Sequence, residues 1–403
     1  MNKTFVACFL GWTLDAYDFF LVIVVVPHLA DDFHQSIAAI AVAVTLTLAL
    51  RPVGALIFGW FADRYGRRTP LMLDIGLYSL LELLTAFSPN LTVFLILRAV
   101  FGIAMGGEWG LGAALAMESL PPAKRGLFSG ILQQGYAVGS LLAGVTLALF
   151  YSLIGWRGMF AIGALPALLI LFIRAHVPES PAWKQGAPQR LALRSDVWLS
   201  LRRYAPLFIY GMLLMAAFNF MSHGSQDPYA TFLTKQANLS PQLVGTVSAI
   251  ASLGAIAGGI FFGWISQRIG RRLAIVISAT LGVVLIPLWV FSHTIAMLTL
   301  GGFVMQFAVQ GAWGIIPAHL NELSPGGARG TFPGFTYQLG NLIAAGTLQI
   351  EALLAAHRFA SRSGAPDYAR AMAFFMLLAF IAVIVMTAIG YFVAPERRNE
   401  ALS

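Results

Sequence analysis

The chain has 403 residues, of which 58% are hydrophobic and only 10% are charged. A soluble globular protein carries about 25% charged residues, so this chain has too few polar groups to cover a water-exposed surface. Its net charge of +8 lies in short clusters between apolar runs rather than in a basic domain, which argues against a nucleic-acid partner and for loops beside an anionic membrane surface.

Twelve apolar runs reach the length of about 20 mostly apolar residues that a membrane-spanning helix requires. We number them spans 1 to 12: residues 5–27, 38–61, 70–87, 91–118, 126–152, 156–173, 204–233, 242–266, 272–292, 295–321, 330–356 and 370–394. They predict an all-α membrane protein of twelve transmembrane helices in the lipid bilayer. The longest polar connection divides it into a bundle over 1–173, a linker over 174–203 and a second bundle over 204–403.

Span 1 carries the chain's single cysteine, Cys8, together with Asp15 and Asp18. A lone cysteine excludes an internal disulfide framework and a cysteine-ligated metal cluster. The span has no clear small-residue cleavage site, and two aspartates are foreign to a signal peptide, so we interpret it as a helix of the mature protein. We expect no metal and no cofactor.

The basic residues predict the orientation in the membrane. With the N-terminus inside, eighteen Lys and Arg residues face the cytoplasm and five face the outside. Because cytoplasmic loops carry the excess of basic residues, both termini and the 174–203 linker are predicted to be cytoplasmic. We expect a multi-pass monomer in the inner (plasma) membrane of the cell.

The two halves of the chain repeat one another. The segment GWFADRYGRR at 59–68 resembles GWISQRIGRR at 263–272, which lies 204 residues later. The same offset relates Trp109 to Trp313, Glu118 to Glu322, Arg125 to Arg329, and Gln134 to Gln338. One register kept over this distance predicts two six-helix halves related as parallel repeats. In transporters of that kind the substrate site lies near the membrane midplane, between the halves.

Three motifs carry a family resemblance. The segment 59–68 resembles the signature between helices 2 and 3 of the major facilitator superfamily. Arg98, Gly102 and Gly106 resemble the R-x-x-x-G-x-x-x-G signature of helix 4, and PESP at 178–181 resembles an element that follows helix 6. The resemblance covers the whole chain and implies the fold and a transport function, but it says little about the substrate.

The repeated loop motif predicts a gate on the cytoplasmic side. Asp63 can pair with Arg67 or with the basic end of a neighbouring helix, and ion pairs that break and re-form would give a two-state closure. The predicted gate residues are Asp63, Arg67, Glu118, Arg125, Glu322 and Arg329. Gln267 replaces Asp63 in the second copy, so its lock is predicted to be weaker. The alternative is that these charges only set the topology.

Ionisable residues inside the spans are functional candidates, because a charge deep in a bilayer costs at least ~2.5 kcal/mol. The set is Asp15, Asp18, Arg51, Glu82, Arg98, Glu108, His223, Asp227 and Glu351. Arg51 presents a planar fork that matches a carboxylate, which favours a clamp for an anionic substrate. The alternative is a structural ion pair with Asp15, Asp18 or Glu108. For Arg98 we expect a structural or proton-relay role.

Span 7 carries a polar face. Its polar side chains lie within about 140° of one another on a helix of 3.6 residues per turn, and such a face must line a cavity. They are Asn219, Ser222, His223, Gln226 and Asp227. Gly224 and Pro228 weaken the helix locally, as expected where a helix bends around a site.

This face also carries the resemblance to a subfamily. Residues 219–231 match every defined position of the N-x-x-S/T-H-x-S/T-Q-D-x-x-x-T signature of fungal lactate/pyruvate–proton symporters. The span 1 element DAYDFF (15–20) resembles sialate–proton symporters of the same branch. The fungal proteins have long terminal extensions that this sequence lacks, so it resembles a compact prokaryotic relative, and regulation through tails is not expected.

The resemblance implies roles for particular residues. It implies that Asn219, His223 and Asp227 act in binding and proton coupling, that Arg51 holds the monocarboxylate, and that Gln338 and Asn341 discriminate between substrates. Among the aromatic residues that can wall a small pocket, we assign Tyr17 to the substrate-binding set, although packing is an alternative for each.

The predicted function is therefore proton-coupled import of a small anion, lactate or pyruvate, by alternating access. The predicted proton-coupling residues are His223, Asp227, Asp15, Asp18 and Glu108. His223 can instead be a neutral histidine bonded between helices, and Asp227 a structural acceptor. The alternatives are symport of sialate or another organic acid, and a non-transport membrane protein. A membrane enzyme is disfavoured because the sequence has no H-E-x-x-H, no P-loop and no clustered Cys and His.

Overall fold

The computed structural model describes residues 3–185, 202–325, 328–361, 364–400 and 402. Within these ranges the chain is helical, without a strand, and eleven helical segments are long and apolar enough to cross a membrane. A shorter apolar helix, Ala167–His176, adds a twelfth. The prediction of an all-α membrane bundle is confirmed. Residues 186–201 of the predicted linker lie outside the described residues, so the exact division of the chain stays a prediction.

The described residues of the first half form nine α-helices and a 3-10 turn, Pro122–Lys124. The α-helices are α1 (Lys3–Asp32), α2 (Ile37–Tyr65), α3 (Arg68–Ala86), α4 (Leu91–Met105), α5 (Glu108–Glu118), α6 (Arg125–Gln133), α7 (Gly135–Ile162), α8 (Ala167–His176) and α9 (Pro181–Gln185). Two crossings are interrupted: one consists of α4 and α5, and the other of α6 and the part of α7 that precedes Gly155. The interruptions at Gly106–Gly107 and at Gln134 lie within predicted spans 4 and 5.

The described part of the second half repeats this plan. Its helices are α10 (Ala205–Gln226), α11 (Tyr229–Lys235), α12 (Pro241–Ile269), α13 (Arg271–Val290), α14 (Ile295–Trp313), α15 (Ile316–Leu323), α16 (Phe332–Ala344), α17 (Thr347–Leu353) and α18 (Tyr368–Val393). A π-helical turn, Leu354–Arg358, extends α17. Pro228 separates α10 from α11, because proline cannot donate the backbone hydrogen bond that would continue the helix.

The predicted span 6 is not one continuous helix. The helix α7 continues through Gly155, whose φ of 61° and ψ of −175° lie in a region that glycine adopts at low cost. The chain then turns at 163–166 and continues as α8. The predicted boundary between spans 5 and 6 therefore coincides with a kink, and the sixth crossing is assembled from the end of α7 and from α8.

Glycines let α2 and α4 approach backbone to backbone. A side chain at Gly54 would overlap the carbonyl of Ile103 on α4, and one at Gly106 would overlap the carbonyl of Arg51 on α2. The contact recurs 204 residues later, where Gly258 of α12 lies against the carbonyl of Phe307 on α14. The repeat seen in the sequence is thus also a repeat of helix packing, and it holds the two helices together in each half.

We expect Gly258→Ala to lower the thermal stability of the detergent-solubilised protein. The new methyl group must push α12 away from α14, and overpacking of this kind costs about 1–3 kcal/mol. Gly245→Ala on the same helix is the matched control, because the Gly245 position faces open space. Equal melting temperatures for the two variants would contradict a close contact at Gly258.

Candidate functional site

A buried ion pair joins α1 and α2. Nη2 of Arg51 lies 3.0 Å from Oδ2 of Asp15, and both side chains are almost fully buried. The Arg51 guanidinium also lies over the Phe19 ring, 5.6 Å from its centroid. Of the three carboxylates considered from the sequence, Asp15 is the partner of Arg51. The contact uses one nitrogen of the guanidinium, so donors remain for a second anion.

Three other carboxyl groups of the first half are fully buried with neither oxygen hydrogen-bonded to a described residue. Two of them, Asp18 and Glu108, are predicted proton-coupling residues. The third is Asp74 of α3, which the sequence reasoning missed although an isolated aspartate in span 3 was a usable signal. Because a buried, unpaired carboxylate is costly, these three groups are suited to accept protons.

Glu82 and Arg98 form the second buried ion pair of this region. Oε2 of Glu82 lies 2.5 Å from Nη2 of Arg98, and the same nitrogen donates to Oγ1 of Thr85 over 2.9 Å. The Arg98 guanidinium also stacks on the Phe101 ring. These contacts lie within α3 and α4, and the structural or proton-relay role of Arg98 stays a prediction.

His223 connects the predicted coupling and substrate residues. Its Nδ1 lies 3.0 Å from Oδ2 of Asp227, and its Nε2 lies 3.1 Å from Oδ1 of Asn341 on α16. An imidazolium can donate to both oxygens, whereas a neutral imidazole can donate to only one. The protonation state of His223 is therefore linked to the orientation of the Asn341 amide.

Other residues on the polar face of α10 form hydrogen bonds within the protein. The Gln226 amide donates to Oγ of Ser222 and to Oε1 of Gln306 on α14, over 3.2 Å each. Nδ2 of Asn219 donates to the Met215 carbonyl over 2.8 Å. The face therefore contributes His223 and Asp227 to the site, while its other members also fasten α10 to itself and to α14.

The remaining predicted substrate residues lie in different surroundings. Gln338 on α16 is 1% exposed, and neither atom of its amide has a hydrogen-bond partner among the described residues. Tyr17 belongs to an apolar cluster around Leu21 and Phe160 in the first half. Gln338 thus keeps its hydrogen-bonding capacity for a ligand, whereas Tyr17 packs among apolar side chains and its substrate role stays a prediction.

An aromatic cluster crosses from one half to the other. Trp12 stacks on Tyr136 with centroids 5.7 Å apart, and Trp109 lies 6.4 Å from Trp12. Tyr337 of the second half packs against Trp109 at 4.6 Å and against Trp313 at 5.7 Å. Tyr337 also interacts electrostatically with Arg51 and Asp15, so the cluster adjoins the ion pair.

The loop motif forms the same ion pair in both halves. Arg67 donates to both oxygens of Glu118 over 3.2 and 3.1 Å, and Arg271 donates to both oxygens of Glu322 over 3.1 and 2.8 Å. Bidentate pairs of this type are the strong ones. Each pair lies within its own half, so it fixes the loop of that half to its own bundle.

Asp63 contacts the opposite half. Its Oδ1 accepts from the backbone N of Gly330 over 2.6 Å, and its Oδ2 accepts from the backbone N and Oγ1 of Thr331 over 3.0 and 2.8 Å. These donors precede α16, where a carboxylate is favoured by the unpaired N–H groups of a helix start. The equivalent Gln267 accepts one such bond, from the backbone N of Gly126 over 3.2 Å. The second contact is neutral and has fewer bonds, as expected for a weaker lock.

The other two predicted gate residues are also buried at this end. Nε of Arg125 donates to the Met117 carbonyl, and Nη1 donates to the Glu400 carbonyl over 2.7 Å. Leu402 packs in the apolar cluster of the first half. Arg329 is buried within electrostatic range of Glu118 and Asp63. The contact of these C-terminal residues with the first half was not predicted from the sequence.

Comparison with known proteins places the chain in a family. A sequence model of the Major Facilitator Superfamily matches residues 8–346 and, in a second match, residues 212–401. The chain is 32% identical over 416 residues to the carboxylic acid transporter protein homolog of Saccharomyces cerevisiae, with 95% of this chain and 67% of that protein covered. It is 30% identical over 411 residues to the probable 4-methylmuconolactone transporter of Cupriavidus pinatubonensis, with 100% and 92% covered.

A bacterial relative and a solved structure extend the comparison. The sialic acid transporter NanX of Escherichia coli is 29% identical over 346 residues, with 84% of each chain covered. The proton:xylose symporter XylE has the same fold, with a TM-score of 0.76 over 99% of this chain and 97% of that chain at 18% identity. The chain therefore belongs to the Major Facilitator Superfamily and is a membrane transporter, not an enzyme.

Proposed function

We propose that the protein imports small monocarboxylates, lactate or pyruvate, together with protons across the inner membrane. The observation that carries the proposal is that the Arg51 guanidinium is buried and binds Asp15 through one of its nitrogens. The names of similar proteins, which include carboxylic acid, sialic acid and 4-methylmuconolactone transporters, support an organic acid as the substrate class.

The ion pair couples an anion to a proton. Arginine keeps its charge at all accessible pH values, so in a buried site it requires a negative partner. Asp15 supplies that charge when the site is empty. A substrate carboxylate can replace it with two parallel hydrogen bonds, and the displaced Asp15 is then stabilised by taking up a proton. The loaded site thus carries one anion and one proton.

A second coupling element lies across the site. When His223 is protonated it can donate to both Asp227 and Asn341, and loss of that proton frees the Asn341 amide. Two acidic or phenolic groups of neighbouring elements interact with Asp227: Glu351 of α17 and Tyr136 of α7. Asn341, a predicted substrate residue, therefore responds to a proton held next to it.

Alternating access is supported by where the two halves meet. They contact one another through α5 and α6 of the first half and through α12, α15 and α16 of the second, and α2 packs on α16. Asp63 and Gln267 join the halves at this end, which the basic residues assign to the cytoplasm. The His223 and Asp227 side chains are 30% and 38% exposed. The arrangement corresponds to a carrier that is closed inside and accessible from outside.

Uptake in proteoliposomes tests the proposed function. We expect an acid-outside pH gradient to drive accumulation of labelled lactate and pyruvate, because each anion enters with a compensating proton. Arg51→Lys should lose this uptake, because an ammonium group cannot reproduce the two-pronged contact. Uptake that follows a sodium gradient and ignores pH would contradict proton coupling, and a protein that takes up only sialate or muconolactone would contradict the substrate.

Asp227→Asn should separate exchange from uptake. The amide oxygen can still accept from Nδ1 of His223, so the helix contact is kept, but the group no longer carries a negative charge. We expect lactate/lactate exchange between preloaded vesicles and medium to survive and proton-driven accumulation to fail.

Asp31→Asn is the matched control for this experiment, because Asp31 is an exposed carboxylate at the end of α1. It should leave both activities intact. If exchange and accumulation fall together in Asp227→Asn while lactate still binds, Asp227 has a structural role only.

Substitutions in the two copies of the gate should act in opposite directions. Asp63→Asn removes the charge that holds Gly330 and Thr331, so we expect a larger inward-open population, slower uptake and lactate affinity within a few-fold of wild type. Gln267→Glu places a carboxylate on the Gly126 N–H and should favour closure.

The populations can be measured as spin-label distances between residues 64 and 268, which are equivalent exposed positions at the cytoplasmic ends of α2 and α12. The same shift in both variants, or a collapse of lactate affinity in Asp63→Asn, would contradict the gate.

A further inference from the structure

The two halves differ at an equivalent position beside the aromatic cluster. Trp109 and Trp313 occupy equivalent positions, and Nε1 of Trp109 donates to Oε1 of Gln133 over 3.2 Å. The residue equivalent to Gln133 in the second half is Tyr337. Trp313 therefore lacks the amide acceptor that its counterpart has. Its Nε1 has no hydrogen-bond partner among the described residues, although the side chain is only 3% exposed.

A buried indole N–H without an acceptor is unfavourable, and such groups in folded proteins usually have a protein, water or ligand partner. Trp313 is held in place by edge-on contacts with Phe218 at 5.5 Å and Tyr337 at 5.7 Å. The amide of Gln338, next to Tyr337 on α16, is also buried and unpartnered. Two unsatisfied polar groups thus adjoin Tyr337: the Trp313 indole packs against its ring, and Gln338 is the next residue on α16.

These groups lie in the region of the Arg51–Asp15 pair. Tyr337 interacts electrostatically with both members of the pair, and α16 packs on α2, the helix that carries Arg51. In lactate and pyruvate the polar group besides the carboxylate is the oxygen on carbon 2. If Arg51 holds the carboxylate, that oxygen needs a donor nearby, and an indole N–H is a donor only.

We propose that Trp313 is a specificity-determining residue whose Nε1–H donates to the 2-oxygen of a 2-hydroxy or 2-oxo acid. The inference rests on the proposed function. It adds that the site selects acids with an oxygen on carbon 2. In this arrangement the substrate oxygen takes the position that the Gln133 amide oxygen has in the first half. An acid without an oxygen on carbon 2, such as propionate, leaves the N–H unpaired and is rejected for that reason.

The test compares binding of lactate, pyruvate and propionate to the purified, folded transporter. Trp313→Phe keeps an aromatic ring and removes the N–H. We expect it to weaken lactate and pyruvate binding by roughly tenfold and to leave propionate binding within about twofold. Trp109→Phe is the matched control: it removes the equivalent N–H, which the protein satisfies internally, and the ratio of lactate to propionate affinity should not change.

A second variant tests the same contact without removing the tryptophan. Tyr337→Gln restores the amide of the first half, which would accept from Trp313 and compete with the substrate, so the preference for lactate over propionate should fall. Tyr337→Phe, which offers no amide, is its control and should keep the preference. This arm decides the question if Trp313→Phe does not fold.

The outcomes separate the two proposals. A wild-type lactate-to-propionate ratio in Trp313→Phe, or in Tyr337→Gln, overturns the role of Trp313 and leaves the proposed function standing. An equal loss of affinity for all three acids in Trp313→Phe overturns it as well, because the indole would then bind the carboxylate or support the fold. A wild-type protein that binds none of the three acids overturns the proposed function and this assignment with it.

Discussion

An arginine inside a membrane protein cannot become neutral, so its position is tolerated only where a negative charge is always within reach. Arg51 meets this condition through Asp15, at 3.0 Å on the neighbouring helix. In the proposed cycle the requirement itself produces transport: the guanidinium exchanges one carboxylate for another, and the carboxylate that it releases must be neutralised. The glycine contacts that bring α2 against α4 fix the height of Arg51, since Gly106 lies against its carbonyl.

Some equivalent positions in the two halves are identical and support the fold, whereas others differ at the site. The pairs Arg67–Glu118 and Arg271–Glu322 are alike in partners and geometry. By contrast, the counterpart of Asp15 is Asn219. The first half therefore carries Asp15 with the buried carboxyl groups of Asp18, Asp74 and Glu108, and the second half carries His223 with the buried carboxyl group of Glu351. A symmetric pair of sites would offer no reason for an anion and a proton to travel together, whereas this division gives each half a different ligand.

The sequence predicted features that depend on composition or on period, and it could not predict features that depend on helix rotation. Apolar runs and the 204-residue offset gave the bundle and its repeat. The charges inside the spans favoured a substrate clamp for Arg51 and left an ion pair as the alternative, with three possible carboxylates, because the choice depends on how α1 and α5 are turned about their axes. Asp74 was missed although it is an isolated aspartate in span 3, and in space it lies beside Gly107 at the α4–α5 break.

Gln267 lacks the charge that its equivalent Asp63 carries, and other contacts at the cytoplasmic end compensate for this difference. Gln267 forms a single neutral bond across the interface, where Asp63 forms three. Its amide also faces the C-terminal segment, donating to Oδ1 of Asn399 over 3.3 Å, and that segment continues to the first half through the Glu400 carbonyl and Leu402. The two sides of the closure are thus held by different means. One is a carboxylate at a helix start, and the other is a weak backbone contact reinforced by a short stretch of chain. In the proposed gate, release of the first side requires loss of all three bonds to Asp63, whereas the second side consists of several weaker contacts.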